Sequence, residues 1–83
     1  MDQISILMAD GCSKNEAKRH LKNGTLIFDK SNFVSNFETY MSEWDADEEM
    51  YTGLKMMIEK DIPYRDWGVV CINGVTYYIM YIL

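Results

Sequence analysis

The chain has 83 residues, of which 48% are hydrophobic and 25% are charged, and its formal net charge is −5. This length predicts one domain and disfavours an enzyme, because a small chain buries too little surface for both a core and a deep substrate cavity. The acidic balance argues against general nucleic-acid binding, which depends on Lys and Arg contacts to phosphate. The two cysteines predict reduced thiols in a cytoplasmic protein, and the longest apolar run, residues 75–83, is about half the length of a membrane span.

The chain opens with a predicted helix. Asp2 is a typical N-cap residue, and Gly11 is typical of the position after a helix, where the backbone adopts a positive φ. Between them the apolar residues recur at helical spacing. They are Ile4, Leu7 and Met8. The pattern therefore predicts a short first helix.

A second predicted helix follows at once. Ser13 and Glu16 have the spacing of a capping box, in which each side chain bonds the backbone amide of the other residue, and Asn23-Gly24 is a typical end. The inward side is narrow and consists of Ala17 and Leu21. The other side carries a basic face made of Lys14, Lys18, Arg19 and Lys22. With the first helix and the turn between them, this face resembles a helix-turn-helix, from which it departs at Asp10 before the turn glycine and at Leu7, where the motif usually has a small residue. A DNA-binding regulator is therefore one alternative function.

Residues 25–29 are apolar and rich in β-favouring types between two turn signals, and they predict a short strand. Ser31 is then a typical N-cap for a third helix. Along this helix aromatic and apolar residues recur on one face, which predicts a wide buried stripe rather than a ligand-stacking surface. The stripe consists of Phe33, Phe37, Tyr40, Met41 and Trp44.

A fourth helix is predicted between Trp44 and Pro63. Asp45 or Asp47 can cap its start, and Pro63 limits its end because the residue before a proline disfavours helical backbone. Gly53 lies inside this helix, where glycine costs about 1 kcal/mol relative to alanine, and it indicates a close helix crossing. The predicted buried side consists of Met50, Leu54, Met57 and Ile58.

The junction before the fourth helix concentrates negative charge. Five carboxylates fall within seven residues, and they belong to Glu43, Asp45, Asp47, Glu48 and Glu49. Their spacing begins like a calcium loop, but Met50 stands where that loop needs glycine and Met56 where it needs glutamate, so we expect no metal site. The acids can stabilise the start of a helix, or they can form a surface that binds a basic partner or mimics nucleic acid. We call this segment the acidic junction.

The strongest local signal is the Asn73-Gly74 pair between two apolar runs, because both residues of a type I′ turn require positive φ. It predicts an antiparallel hairpin with strands 67–72 and 75–82, and the two-residue turn sets the register so that Ile72 faces Val75. Neither strand contains a charged residue. An antiparallel sheet normally has one wet face, so something is expected to cover both faces of this hairpin.

Together these elements predict a single α+β domain over residues 1–83 in the order α-α-β-α-α-β-β, with four helices, the C-terminal hairpin and 25–29 as a candidate third strand. We expect the two long helices to cover one face of the hairpin. The second face is expected either to stay half exposed through its Tyr and Thr side chains or to dock a protein partner or a second copy of the chain. The second face consists of Trp67, Val69, Tyr78, Met80 and Ile82. The leading hypothesis is therefore a non-enzymatic interaction module, either homodimeric or accessory, with no cofactor and no small-molecule substrate.

Three segments carry a resemblance to known proteins. They are residues 10–25, Asp66-Trp67-Gly68 and Tyr77-Tyr78-Ile79-Met80-Tyr81. In these segments the chain resembles small uncharacterised proteins from prophages and mobile elements of Gram-positive bacteria. The resemblance implies a short accessory protein that works by binding. Because small acidic phage proteins include inhibitors of host defence nucleases, it also implies, as an alternative function, an acidic inhibitor that mimics nucleic acid.

Overall fold

The computed structural model describes residues 1–82, which form five helices and a three-stranded antiparallel sheet. In chain order the elements are α1 (Gln3–Ala9), α2 (Lys14–Lys22), β1 (Leu26–Asp29), α3 (Lys30–Ser35), α4 (Phe37–Glu43), α5 (Glu48–Lys60), β2 (Trp67–Ile72) and β3 (Val75–Met80). The predicted α+β class, the hairpin and the third strand are confirmed. β3 ends at Met80 rather than Ile82, and Leu83, the last residue of the predicted apolar run, lies outside the described residues.

β3 is the central strand, since the order of the sheet is β1-β3-β2. β2 pairs with β3 in the predicted register, with Ile72 opposite Val75. Both turn residues have positive φ, 51° at Asn73 and 79° at Gly74, as a type I′ turn requires. β1 pairs with the other side of β3. β1 and β2 are therefore the two edges of the sheet.

Helices cover both faces of the sheet. On one face α3, α4 and α5, here called the C-terminal layer, pack with β2 and β3 into an aromatic-rich core cluster of Phe33, Phe37, Met41, Leu54, Met57, Trp67 and Tyr78. On the other face α1 and α2, the N-terminal layer, pack with β3 into a smaller cluster of Ile6, Leu7, Ala17 and Ile79. Successive residues of a strand point to opposite faces, so Tyr78 enters the first cluster and Ile79 the second. The expectation that helices cover only one face is therefore wrong.

The ends of the first two helices are as predicted. The Asp2 carboxylate accepts a hydrogen bond from the first turn of α1, and the Ser13 and Glu16 side chains form the complete capping box of α2. The buried side of α1 differs slightly from the prediction. Ile6 is buried, whereas Met8 is 45% exposed.

The predicted third helix is divided at Asn36 into α3 and α4. Asp29, and not Ser31, caps α3, because its carboxylate accepts a hydrogen bond from the Asn32 amide at 2.8 Å. The Asn36 side chain donates to the Asn32 carbonyl at 3.0 Å, and bonds of this kind from a side chain back to the preceding turn bend helices. The aromatic stripe nevertheless stays on the core side, since Phe33 is fully buried.

α5 begins after Asp47, whose carboxylate accepts a hydrogen bond from the first turn, and it ends before Asp61, which has a left-handed conformation with a φ of 53°. Gly53 faces the ring of Tyr64 in the segment that returns to β2, and a Cβ atom at Gly53 would overlap that ring. The close contact that Gly53 indicates is therefore with a tyrosine and not with a crossing helix.

Candidate binding cleft

A cleft of about 300 Å³ lies at the end of the sheet where β2 begins. Its walls come from the acidic junction, from the segment that precedes β2 and from the residue that follows β3. The lining residues are Asp45, Asp47, Met50, Tyr64, Arg65, Asp66, Trp67 and Tyr81. Ligand pockets occupy roughly 300–1,000 Å³, so a cleft at the lower end of this range has room for a single long side chain.

Three exposed carboxylates line this cleft. Asp45 and Asp47 come from the acidic junction, and Asp66 directly precedes β2. Arg65 also lines the cleft, but its guanidinium group is already paired with the carboxylate of Glu49. Carboxylates therefore outnumber cations in the cleft, and its electrostatic potential favours a cationic ligand.

Three aromatic rings and Met50 form the rest of the wall. Trp67 is 8% exposed and stacks on Phe28 at a centroid distance of 6.1 Å, while Tyr64 and Tyr81 are half-buried. A cation over such a ring gains about 0.5–2 kcal/mol. The guanidinium carbon of Arg65 lies 5.5 Å from the centre of the Tyr64 ring, so one wall already holds a cation in this way. Carboxylates beside aromatic rings are suited to a guanidinium or ammonium group.

Tyr81 connects the cleft to the N-terminal layer. Its hydroxyl donates to Asp10 Oδ2 at 2.5 Å and lies 3.7 Å from Cys12 Sγ, and its ring meets His20 edge-on at 5.0 Å. Burial, followed by the hydrogen bond to Asp10, raises the pKa of Tyr81 well above its ordinary value. The thiol of Cys12 thus contacts a protonated hydroxyl rather than a base. These contacts position Tyr81 between the cleft and the N-terminal layer.

The fold divides the carboxylates of the acidic junction between two places. Asp45 and Asp47 line the cleft, whereas Glu43, Glu48 and Glu49 are exposed outside it. Asp66 completes the cleft without any local sequence signal, because a single carboxylate before a strand is ordinary. It joins the acidic junction only because the chain returns along α5 before β2 begins.

The residues predicted as the hairpin's docking face are mostly internal. Trp67 and Tyr78 belong to the core cluster of the C-terminal layer, and Val69 and Met80 pack against it. Ile82 is 37% exposed. The apolar character of both hairpin faces is accounted for by the protein's own helices, so these faces require no partner to cover them.

The basic face is fully displayed to solvent. Lys14, Lys18, Arg19 and Lys22 are all exposed on α2, which packs on the rest of the protein through the buried Ala17. The protein therefore has a basic surface on its N-terminal layer and an acidic surface on its C-terminal layer. DNA binding through the basic face stays a prediction.

Within residues 1–82 no group of three or more His, Cys, Asp or Glu side chains is arranged to hold a metal ion. Cys12 and Cys71 are both free thiols. No helix in this range is long and apolar enough to cross a membrane. Comparisons with protein-family models, curated proteins and solved structures find no match.

Proposed function

We propose that this protein is a non-enzymatic interaction module that binds a basic partner protein through the cleft at the start of β2. The observation that carries the proposal is the meeting of Asp66 with Asp45 and Asp47 beside an aromatic wall. Among the residues that the structure describes, Arg65 supplies the guanidinium group that lines the cleft, and it is already paired with Glu49. A Lys or Arg side chain of a partner would supply the missing positive charge.

The chemistry of the surroundings supports a basic partner. Glu43 and Glu48 extend the negative surface beyond the cleft, and such a field accelerates association with a positively charged protein. A nucleic-acid site on a host enzyme is a basic surface of this kind, and the resemblance to mobile-element proteins supports an inhibitor that occupies one. Homodimerisation, the other form of the interaction hypothesis, is less favourable because it brings together two molecules with a net charge of −5 each.

The proposal is tested with the triple variant Asp45→Asn, Asp47→Asn and Asp66→Asn. Asparagine keeps the N-cap at Asp47 and tolerates the positive φ of Asp45, so the variant removes charge with little change of shape. The probe is a fluorescein-labelled Arg-Gly repeat peptide, and its dissociation constant is measured by fluorescence anisotropy at low salt. We expect about tenfold weaker binding, since exposed ion pairs contribute about 0.2–1 kcal/mol each.

The matched control is the triple variant Glu43→Gln, Glu48→Gln and Glu59→Gln. It removes the same number of carboxylates from exposed positions outside the cleft, so both variants have the same net charge. We expect it to weaken binding by at most about threefold, because charges outside the cleft act only through a screened long-range field. Equal losses in the two variants would mean that net charge alone attracts the peptide, and the proposal would be wrong.

A further inference from the structure

The two edges of the sheet differ in how they are protected. β1 has four residues, ends in the charged Asp29 and passes directly into α3. β2 has six residues, Trp67–Ile72, without a charged residue or a proline. Short length, charge and proline are the usual devices that prevent an edge strand from pairing with another chain. β2 has none of the three.

The hairpin turn determines which backbone groups of β2 face outward. Ile72 and Val75 close the two-residue turn as a hydrogen-bonded pair, so Val70 and Gly68 also bond to β3. The backbone N–H and C=O groups of the alternate residues therefore point away from β3. These residues are Trp67, Val69 and Cys71.

Of the outward-facing backbone groups of β2, only the amide of Trp67, at the start of the strand, makes a backbone hydrogen bond within the described residues. The Trp67 amide donates to the Tyr64 carbonyl at 2.9 Å, which agrees with the outward direction. In the described part of the chain, no further backbone hydrogen bond reaches the outward groups of Val69 or Cys71. Cys71 is exposed and Val69 is half-buried. The edge thus presents two donors and two acceptors in the spacing of an extended strand.

We propose that this edge binds an extended strand of the basic partner, with backbone hydrogen bonds to Val69 and Cys71, while a Lys or Arg of that strand enters the cleft. The inference rests on the proposed function and defines the partner segment. Asp66 and Trp67 line the cleft at the start of the same edge, so charge complementarity selects a strand that carries a cation there. Val69 is two residues beyond Trp67, about 7 Å along the strand, and a long cationic side chain spans this distance.

A second copy of the chain fits this edge less well. Its own β2 contains no basic residue to enter the cleft. The free stretch from Val69 to Cys71 is also short, whereas a stable interface buries at least roughly 1,000 Å². A partner strand gains the contact with the cleft in addition to the backbone hydrogen bonds.

The test compares Cys71→Pro with Cys71→Thr. Proline removes the outward N–H and is tolerated on an edge strand where that N–H faces solvent, while threonine keeps the N–H and favours a strand. The probe is a labelled heptapeptide of alternating Val and Thr with a central Arg. We expect Cys71→Pro to bind this peptide about tenfold more weakly than Cys71→Thr, because a backbone bond is lost and the proline ring obstructs its neighbour.

A peptide arm tests the same bonds in the unmodified protein, independently of whether the proline variant folds. Two versions of the heptapeptide are N-methylated, each on one alternate set of amides. We expect one version to lose about tenfold in affinity and the other to bind nearly as the parent, since only one set faces β2.

The possible failures are distinguishable. If Cys71→Pro and both methylated peptides bind normally while the Asp→Asn triple variant does not, the edge inference is wrong and the cleft proposal stands. If the triple variant also binds normally, the proposed function fails. If sedimentation equilibrium shows a dimer of the wild type that Cys71→Pro abolishes, the edge belongs to a second copy, and the inference is overturned.

Discussion

The two helical layers are attached to the sheet in the same way but bury different residues. Each layer is hydrogen-bonded to β3 or to the residue that follows it, because a tyrosine there donates its hydroxyl to the aspartate at the end of one helix of the layer. Tyr78 donates to Asp61 at the end of α5 at 2.8 Å, and Tyr81 donates to Asp10 at the end of α1 at 2.5 Å. Besides this hydrogen bond, the C-terminal layer has an aromatic core. The N-terminal layer has a smaller one, to which α1 contributes Ile6 and Leu7 and α2 contributes Ala17.

The two layers therefore have different roles: one carries the cleft, and the other covers the second face of the hairpin. The C-terminal layer contains the larger cluster of buried residues, and Asp45 and Asp47, which line the cleft, lie between its helices α4 and α5. The thinner N-terminal layer covers the second face of the hairpin, which would otherwise be exposed. We therefore expect the C-terminal layer to dominate stability and the N-terminal layer to open first.

The largest effect is expected from truncating the aromatic core. Phe33 is fully buried and contacts several aromatic rings, so Phe33→Ala should lower the free energy of unfolding by about 3–5 kcal/mol. Leu54 and Leu7 are both fully buried, one in each layer, so Leu54→Ala and Leu7→Ala are the matched pair. We expect Leu7→Ala to cost about 2–3 kcal/mol and Leu54→Ala to cost more, because the cluster around Leu7 is smaller and can close more easily. Urea unfolding of the three variants gives the comparison, and a larger loss for Leu7→Ala than for Leu54→Ala would reverse the proposed ranking of the layers.

An intermediate effect is expected from removing one hydroxyl. Tyr81→Phe should cost about 1–2 kcal/mol through the lost hydrogen bond to Asp10, and Tyr78→Phe should cost a similar amount through Asp61. Amide hydrogen exchange separates the two. We expect Tyr81→Phe to accelerate exchange in α1 and α2, and Tyr78→Phe to accelerate it in α5. Uniform acceleration in either variant would show that the layers open together.

The smallest effect concerns the acid side of the stability profile. Hydrogen bonds from Lys30 and then from Tyr78 lower the pKa of Asp61 below its ordinary value of 3.8. At pH values above 3.8 the lowered pKa of Asp61 adds to the free energy of unfolding, and this contribution is lost as the pH falls through the folded-state pKa. Asp61→Asn keeps the left-handed conformation but lacks the charge. When the pH is lowered below about 4, its free energy of unfolding should therefore fall less than that of the wild type.

At neutral pH the same variant should be less stable by only about 0.2–1 kcal/mol, because both side chains of the Lys30–Asp61 pair are more than a third exposed. Urea midpoints of the two proteins at neutral and acidic pH measure both effects. Parallel profiles over the whole range would contradict the role assigned to the Asp61 charge.

The predictions that hold depend on neighbours in sequence. The caps at Asp2, Ser13 and Asp47 need only the next turn of the chain, and the hairpin needs only the positive φ of Asn73-Gly74. Apolar periodicity does not predict the interruption of the third helix at Asn36. That pattern carries no information about a polar side chain that bonds back to the preceding turn.

The cleft and the covered hairpin faces depend on contacts between distant segments. Gly53 indicates a close contact, but only the three-dimensional structure shows that Tyr64, in the segment that returns to β2, makes this contact. The sequence by itself determined the starts of α1, α2 and α5, the hairpin turn and the division of charge, since these follow from local hydrogen bonds and residue type. Tertiary structure alone decided that two layers cover the hairpin and that Asp66 joins Asp45 and Asp47, because packing against a shared sheet brings together residues that no local pattern relates.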